Sequence, residues 1–334
     1  MPDKQAAVIP IAVTEGMSQT DPQAHPARDY RPPFEWRFLR PVYWPTWLLV
    51  AVLRVMVVLP LPVTHAIGRW LGRLYYHNNE KRRRIAHINV RLCFPEMSSD
   101  EQEKLVWQHF EAYGANVFDF AMVWWASLKR IRRLTRFHGL DTYLELIESG
   151  CNVVLVTGHL VTVDLSAHIM SQFRPGVTMM KPLKNPLLNW LISRGRHRHG
   201  NLLYERSQGL RPLVRHVRRG RPCYFLPDED FGAQAAVFAP YFGIQSWTVT
   251  SLATLARLGN ATVVPVFTHS LPSGQGYEVY IGPVMENFPT GDSVADATAM
   301  NRVLEEGVRK MPEMYAWTFK LFKTRPQGEE NPYQ

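Results

Sequence analysis

The stretch His159-Leu160-Val161-Thr162-Val163-Asp164 places an imidazole and a carboxylate just past the apolar run Val153–Val156. An imidazole can take a proton at neutral pH, and a carboxylate beside it can fix its tautomer and stabilise the imidazolium. No nucleophile accompanies the pair, so the chemistry this arrangement suits is activation of a hydroxyl that the substrate brings. On one continuous helix, residues five apart lie about 140° apart and face different ways. His159 is therefore expected before a helix. A strand would end near Thr157, Gly158 would supply the bend, the helix would begin just after Leu160, and Asp164 would fold back to one ring nitrogen. The competing reading is a strand-end histidine bonded to local backbone, with Asp164 merely favoured by the helix dipole. The spacing alone does not separate the two.

A second strand end repeats the pattern. Cys223–Leu226 runs into Pro227-Asp228-Glu229-Asp230, and in open α/β sheets the carboxyl ends of strands border the ligand crevice. Asp228 and Asp230 are therefore candidates to lie near His159, against the alternative that they are ordinary turn acids. Between residues 181 and 221 there are eleven Lys or Arg and one acid, Glu205, while the whole chain carries +9. Such concentration points to a polyanion recognised by field and by guanidinium forks, with Arg194, Arg196, Arg198 and Arg206 as the binding candidates. Nucleic acid is disfavoured, because no helix-turn-helix, zinc finger or aromatic RNA-binding strand accompanies the charge. Cys93, Cys151 and Cys223 have no paired or metal-ligand spacing, so a reducing compartment and no metal site are expected. Neither a Walker loop, GxGxxG nor GxSxG occurs, which removes nucleotide chemistry and serine hydrolysis as leading ideas.

The elements that would position these residues can be outlined from the pattern. Residues 1–38 lack an apolar core and read as a disordered tail with no secretory signal. Residues 39–66 contain the apolar segment Tyr43–Val63, about 31 Å long as a helix, enough to cross a bilayer core. Arg54 inside it and Pro60 and Pro62 near its end weaken a clean span, so a full crossing and a shallow anchor both fit. Arg69, Arg73 and Lys81–Arg84 follow, which by the positive-inside tendency keeps the downstream chain cytoplasmic. Residues 67–135 read as a helical, membrane-proximal region that includes Ser99–Trp125, capped at Ser98 or Ser99. In 136–328, strands at Val153–Val156, Thr178–Met180, Cys223–Leu226, Thr262–Phe267 and Tyr277–Ile281 alternate with helices. Those helices are Thr162–Gln172, Pro186–Ser193, Leu210–Arg219, Thr248–Leu258 and Ala295–Met311, giving one α/β domain on a mostly parallel sheet. Residues 329–334 form a short tail.

HLVTVD resembles the HxxxxD/E motif of the glycerolipid-type acyltransferase superfamily. Past residue 38 the chain resembles the bacterial late (secondary) acyltransferases of lipid A biosynthesis. The stretches that carry this are RPVYWPTWL at Arg40–Leu48, INVRLCFPEMS at Ile88–Ser98, NPLLNWL at Asn185–Leu191, GRHR at Gly195–Arg198, LPDEDFG at Leu226–Gly232 and PEMYAWTFKLFKTRP at Pro312–Pro326. Asp164, QGLRPLV at Gln208–Val214 and WTFKLFKTR look closer to the enzyme that adds the last chain, whereas NPLLNWL and GRHR look closer to the one acting before it.

The resemblance implies a mixed α/β sheet flanked by helices, with an N-terminal membrane-anchoring helix. It implies transfer of a fatty acyl chain from acyl carrier protein to a hydroxyacyl chain on a glucosamine disaccharide, at the cytoplasmic face of the inner membrane. His159, oriented by Asp164, would remove the proton from the acceptor hydroxyl without an acyl-enzyme, and the carrier's pantetheine arm would be the only cofactor. Backbone N–H groups after Leu160, or Arg196 or Arg198, would stabilise the oxyanion. Other exposed cations, Arg218 and Arg219 among them, would steer the acidic carrier. The rival readings are an acyltransferase with another acceptor, such as glycerol phosphate or a glycolipid, and a non-catalytic adaptor that binds anionic lipid.

Overall fold

Two prolines divide the apolar N-terminal segment before anything else is built. In the computed structural model, which describes residues 28–230, 232 and 235–334, α1 (Trp44–Met56) stops short of Pro60. A second helix, α2 (Leu61–Asn78), starts with Pro60 as its cap and Pro62 in its first turn. Thirteen residues make a helix of about 20 Å, well under a bilayer core of about 30 Å. Among the described residues no helix is long and apolar enough to cross a membrane. The single anchoring helix expected at 39–66 is thus corrected to two helices joined at a proline turn.

Helices α3 (Glu80–Cys93), α4 (Ser99–Val117), α5 (Asp119–Trp125) and α6 (Leu128–Leu134) complete the helical region. The expected Ser99–Trp125 helix breaks at Phe118, and Ser98 with Glu101 forms the reciprocal capping box at its start. α2 crosses α4 at backbone contact: a Cβ on Gly68 would lie 2.5 Å from Ala115 Cα, and one on Gly72 would lie 2.1 Å from Phe110 O. Only glycine permits that approach.

The remainder alternates β1 (Thr135–His138), α7 (Leu140–Glu148), β2 (Asn152–Val156), α8 (Val163–Met170), β3 (Val177–Met180), α9 (Pro186–Arg196), β4 (Leu202–Glu205), α10 (Arg211–Val217) and β5 (Cys223–Phe225). The hairpin β6 (Ala236–Tyr241) and β7 (Ile244–Val249) follows, then α11 (Ser251–Gly259), β8 (Ala261–Ser270), β9 (Tyr277–Ile281) and α12 (Ser293–Lys310). Seven strands form one sheet in the order β1-β9-β8-β2-β5-β3-β4. Five run parallel; β9 pairs antiparallel with β8, and β1 runs with β9. β2, apolar from Val153 to Val156, sits in the interior with both faces covered, as parallel strands require. Val154 and Val156 pack with Leu213 and Val217 of α10 and Leu252 and Leu255 of α11. Val153 and Leu155 pack on the other face with Leu165 and Ile169 of α8 and with α1 and α5.

Several sequence expectations are adjusted here. β1, β4 and the β6–β7 hairpin were not anticipated, and Thr248 and Val249 belong to β7 rather than to α11. Residues 1–27 of the expected tail lie outside the described residues. Residues 28–38 are not a free tail: Asp29 accepts from Leu203 N–H at 3.0 Å and pairs with His197 at 2.8 Å, Tyr30 N–H donates to Leu203 O, and Phe38 is buried. The last residues also pack inward, with the Tyr333 hydroxyl bonded to Asn89 and accepting from Phe322 N–H.

Candidate active site

β2 and β5 lie side by side with Val156 opposite Phe225. His159 and Asp228 each follow three residues beyond that register pair, so two neighbouring strands deliver them to the same point. His159 Nδ1 lies 2.6 Å from Asp228 Oδ1, and the backbone N–H of His159 donates to Asp228 Oδ2 at 2.7 Å. The Tyr315 hydroxyl donates to the same Oδ2 at 2.9 Å. Gly158 makes room for this convergence: a Cβ there would stand 3.0 Å from the Tyr315 ring and 3.1 Å from Asp228 Oδ2. The glycine serves close approach, not the bend expected of it.

The C-terminal segment clamps the loop from the other side. Val161 N–H donates to Met314 O at 2.8 Å and Ala316 N–H to His159 O at 2.9 Å, while the Phe319 ring stands 5.5 Å from the imidazole.

The electrostatics follow from burial and partners. Burial alone would hold the Asp228 carboxyl protonated, but His159's charge and three donated hydrogen bonds outweigh it and bring the carboxyl below the usual carboxylate range. An ionised carboxylate only accepts, so Nδ1 carries the proton and donates to it. For His159, burial pushes its pKa down, yet Asp228 through charge and hydrogen bond, with Glu229 adding to it, outweighs burial and the opposing Arg196, so the net direction is up. Its Nε2 makes no hydrogen bond among the described residues, and about a quarter of the side chain is exposed. His159 lines a cavity of about 670 Å³ whose wall includes Val163, Ala167, Met170, Val177, Met179 and Leu202. A second imidazole, His168, lines the same cavity. Burial, and after it His199 and Arg198, pushes that ring down to about 3, so it is a poor base at neutral pH.

Asp164 does not reach His159, which corrects the expected pairing. α8 starts at Val163, later than anticipated, because Leu160 and Val161 are tied to the Met314–Ala316 segment. Asp164 then sits in the first turn of α8 facing α9, where Arg196 takes both of its oxygens, Nε at 2.5 Å and Nη2 at 2.9 Å. A fork of this kind satisfies both partners at once. Arg196 is thereby withdrawn from the lipid-phosphate role, although it and Asp164 both line the cavity.

Arg198 is corrected in the same way: it donates to Val123 O at 2.6 Å and Ala126 O at 3.0 Å, satisfying carbonyls at the end of α5. Asp230 is buried and accepts from Gly232 N–H, Thr324 N–H and the Thr324 hydroxyl, so it fastens the C-terminal segment and takes no part at His159. Arg206 lines the cavity, and Arg194 is exposed with its guanidinium 5.5 Å from the Trp190 ring. Tyr315 was missed by sequence reasoning, and nothing local marks it. For Asp228 a signal existed, the equal three-residue offset from paired strands, but reading it requires the register. Among the described residues no group of three or more His, Cys, Asp or Glu could hold a metal ion.

Comparison with known proteins bears on what this site serves. Residues 31–324 match the family model described as bacterial lipid A biosynthesis acyltransferase. The chain is 34% identical over 303 residues to the lipid A biosynthesis lauroyltransferase of Escherichia coli K12, covering 90% of this chain and 99% of the relative. It is 32% identical to the palmitoleoyltransferase of the same organism over 90% of this chain and 98% of that protein. Its identity to the myristoyltransferase is 30%, over 92% and 95% respectively.

Proposed function

Because the chain belongs to the bacterial lipid A biosynthesis acyltransferases and is an acyltransferase, we propose that it moves a fatty acyl chain from acyl carrier protein to the 3-hydroxyl of an acyl chain on a lipid A precursor. The observation that carries the site assignment is His159 itself, held through Nδ1 by a buried carboxylate while the residue lines a largely apolar cavity. In this reading Nε2 takes the hydroxyl proton, the oxygen attacks the thioester carbonyl, and Asp228 stabilises the imidazolium. Collapse of the tetrahedral intermediate breaks the C–S bond, and the proton on Nε2 passes to the departing thiolate. No acyl-enzyme forms. Arg196 is the favoured oxyanion donor: its Nε and Nη2 are committed to Asp164, which fixes the guanidinium and leaves Nη1 without a hydrogen bond among the described residues. Arg194 and Arg206 stay as candidates for the precursor's phosphates.

The same reading puts the protein on the cytoplasmic face of the inner membrane. Trp36, Val42, Trp44, Leu48, Val55 and Val58 around α1, and Ile67, Trp70 and Leu71 on α2, are exposed. So large an apolar face suits a bilayer surface, with the helices lying in the interface rather than crossing it. Arg54 fits that placement, its guanidinium over Trp125 at 5.9 Å on the flank of α1. Mass spectrometry of lipid A from cells lacking the protein tests the function: loss of the mass of one fatty acyl group is expected, and an unchanged lipid A would refute it.

A further inference from the structure

α10 begins where the wall of the His159 cavity ends. Gly209 and Leu210 line that cavity, and Leu210 also forms one wall of a second depression, shared with Val214 of α10 and Leu258 at the end of α11. The rim of this groove is Arg211, Arg215, Arg218 and Arg219, and exposed Arg257 stands next to Leu258 in the chain. No Asp or Glu occurs in residues 206–227 or 231–277, which contain both helices. The local field registers on His216, whose pKa is lowered first by burial and then by Arg221, Arg219 and Arg215, with Asp29 the smaller opposing charge. An apolar strip flanked by arginines and free of acids is complementary to an amphipathic helix with acidic flanks.

We propose that the α10–α11 groove is the docking surface for the acyl donor's carrier, a small acidic protein that lays an acidic helix between Arg211 and Arg215 on one side and Leu258 on the other. This rests on the carrier-dependent reaction proposed above and adds where the carrier sits. Two observations favour a soluble acidic protein over an anionic bilayer. The exposed apolar helix α1 packs on the Val153 and Leu155 face of the sheet, whereas α10 and α11 pack on the opposite face. Leu210 joins the groove to the catalytic cavity, so a carrier seated there has its thioester arm beside the route to His159.

The test compares two donors bearing the same acyl group, one on the carrier protein and one on free pantetheine, using the full-length protein and its variant Arg211→Glu with Arg215→Glu. Arg218 is left intact because its Nε donates to Leu258 O at 2.6 Å. The expected result is a fall of about tenfold or more in kcat/KM for the carrier-bound donor, lessened by added salt, with the pantetheine donor unaffected. An unchanged carrier-bound rate would overturn the proposal, as would an equal fall with both donors, which would mean that the arginines serve the fold. Loss of binding to phosphatidylglycerol vesicles with normal carrier kinetics would overturn it too, making the groove a membrane contact. Separately, a wild-type protein that used both donors equally well would remove the carrier-dependent reaction on which the proposal rests.

Discussion

Two carboxylates line or border the same cavity and have opposite fates. Asp164, five residues from His159, is taken up by Arg196; Asp228, sixty-nine residues away, holds the imidazole. The first pair joins two helices, α8 and α9, and its charge is neutralised by a permanent cation. The second joins the ends of two hydrogen-bonded strands, and its partner is a group that changes charge. Proximity along the chain says little about which carboxylate orients a base, because a helix start rotates away from the strand end within a few residues, whereas strand register carries two loops forward together.

The largest effect is expected at the base. His159→Ala should leave a folded protein whose acyl transfer falls by about 10² to 10⁴. Normal turnover by that variant would end the proposed mechanism. Next comes the helix pair, where stability and activity should part. Asp164→Asn leaves Arg196 without its charge partner and should cost roughly 3 kcal/mol, the lower end for breaking such a pair because about a quarter of Arg196 is exposed. Replacing both, Asp164→Leu with Arg196→Met, should recover most of that stability in denaturant unfolding. Turnover should nonetheless drop by about 10² to 10³ if Nη1 serves the oxyanion. A stable, fully active double variant would assign the pair to the fold alone. The smallest effect is expected at Tyr315→Phe, which removes one of the donors to Asp228. About tenfold in kcat, with the protein still folded, corresponds to one charged hydrogen bond at the low end of its range.

Much of this was legible in the sequence, for identifiable reasons. The strand Val153–Val156 is apolar throughout because both its faces are covered, and Ser98 with Glu101 forms a local cap that needs no tertiary information. Pro60 and Pro62 announced the break after α1. β1 and β4 were missed because TRFH and LLYE are four residues long and half-polar or edge-placed, so neither carries a clear period. At the site, His159 was identified from its position after a buried strand. Assigning Asp164 to it was an error of locality, and Arg196 and Arg198 looked like ligand-binding cations because a sequence does not show which carbonyls and carboxylates already claim them. Tyr315 was hidden because its contact is made only when the C-terminal segment pairs with Leu160.

The most direct test is the pH dependence of kcat/KM in Asp228→Asn and Asp164→Asn beside the parent. A base must be neutral, and Asp228 holds His159 above its ordinary range, so the parent's acid limb should lie above about 6.5. Removing the Asp228 charge leaves burial, the largest single influence, and Arg196 to push the other way against Glu229 alone. The limb should move to lower pH in Asp228→Asn while the plateau falls by about 10², and in Asp164→Asn, where only Arg196's opposing charge is released, it should move much less. A limb that shifted in Asp164→Asn and held in Asp228→Asn would contradict the pairing of His159 with Asp228.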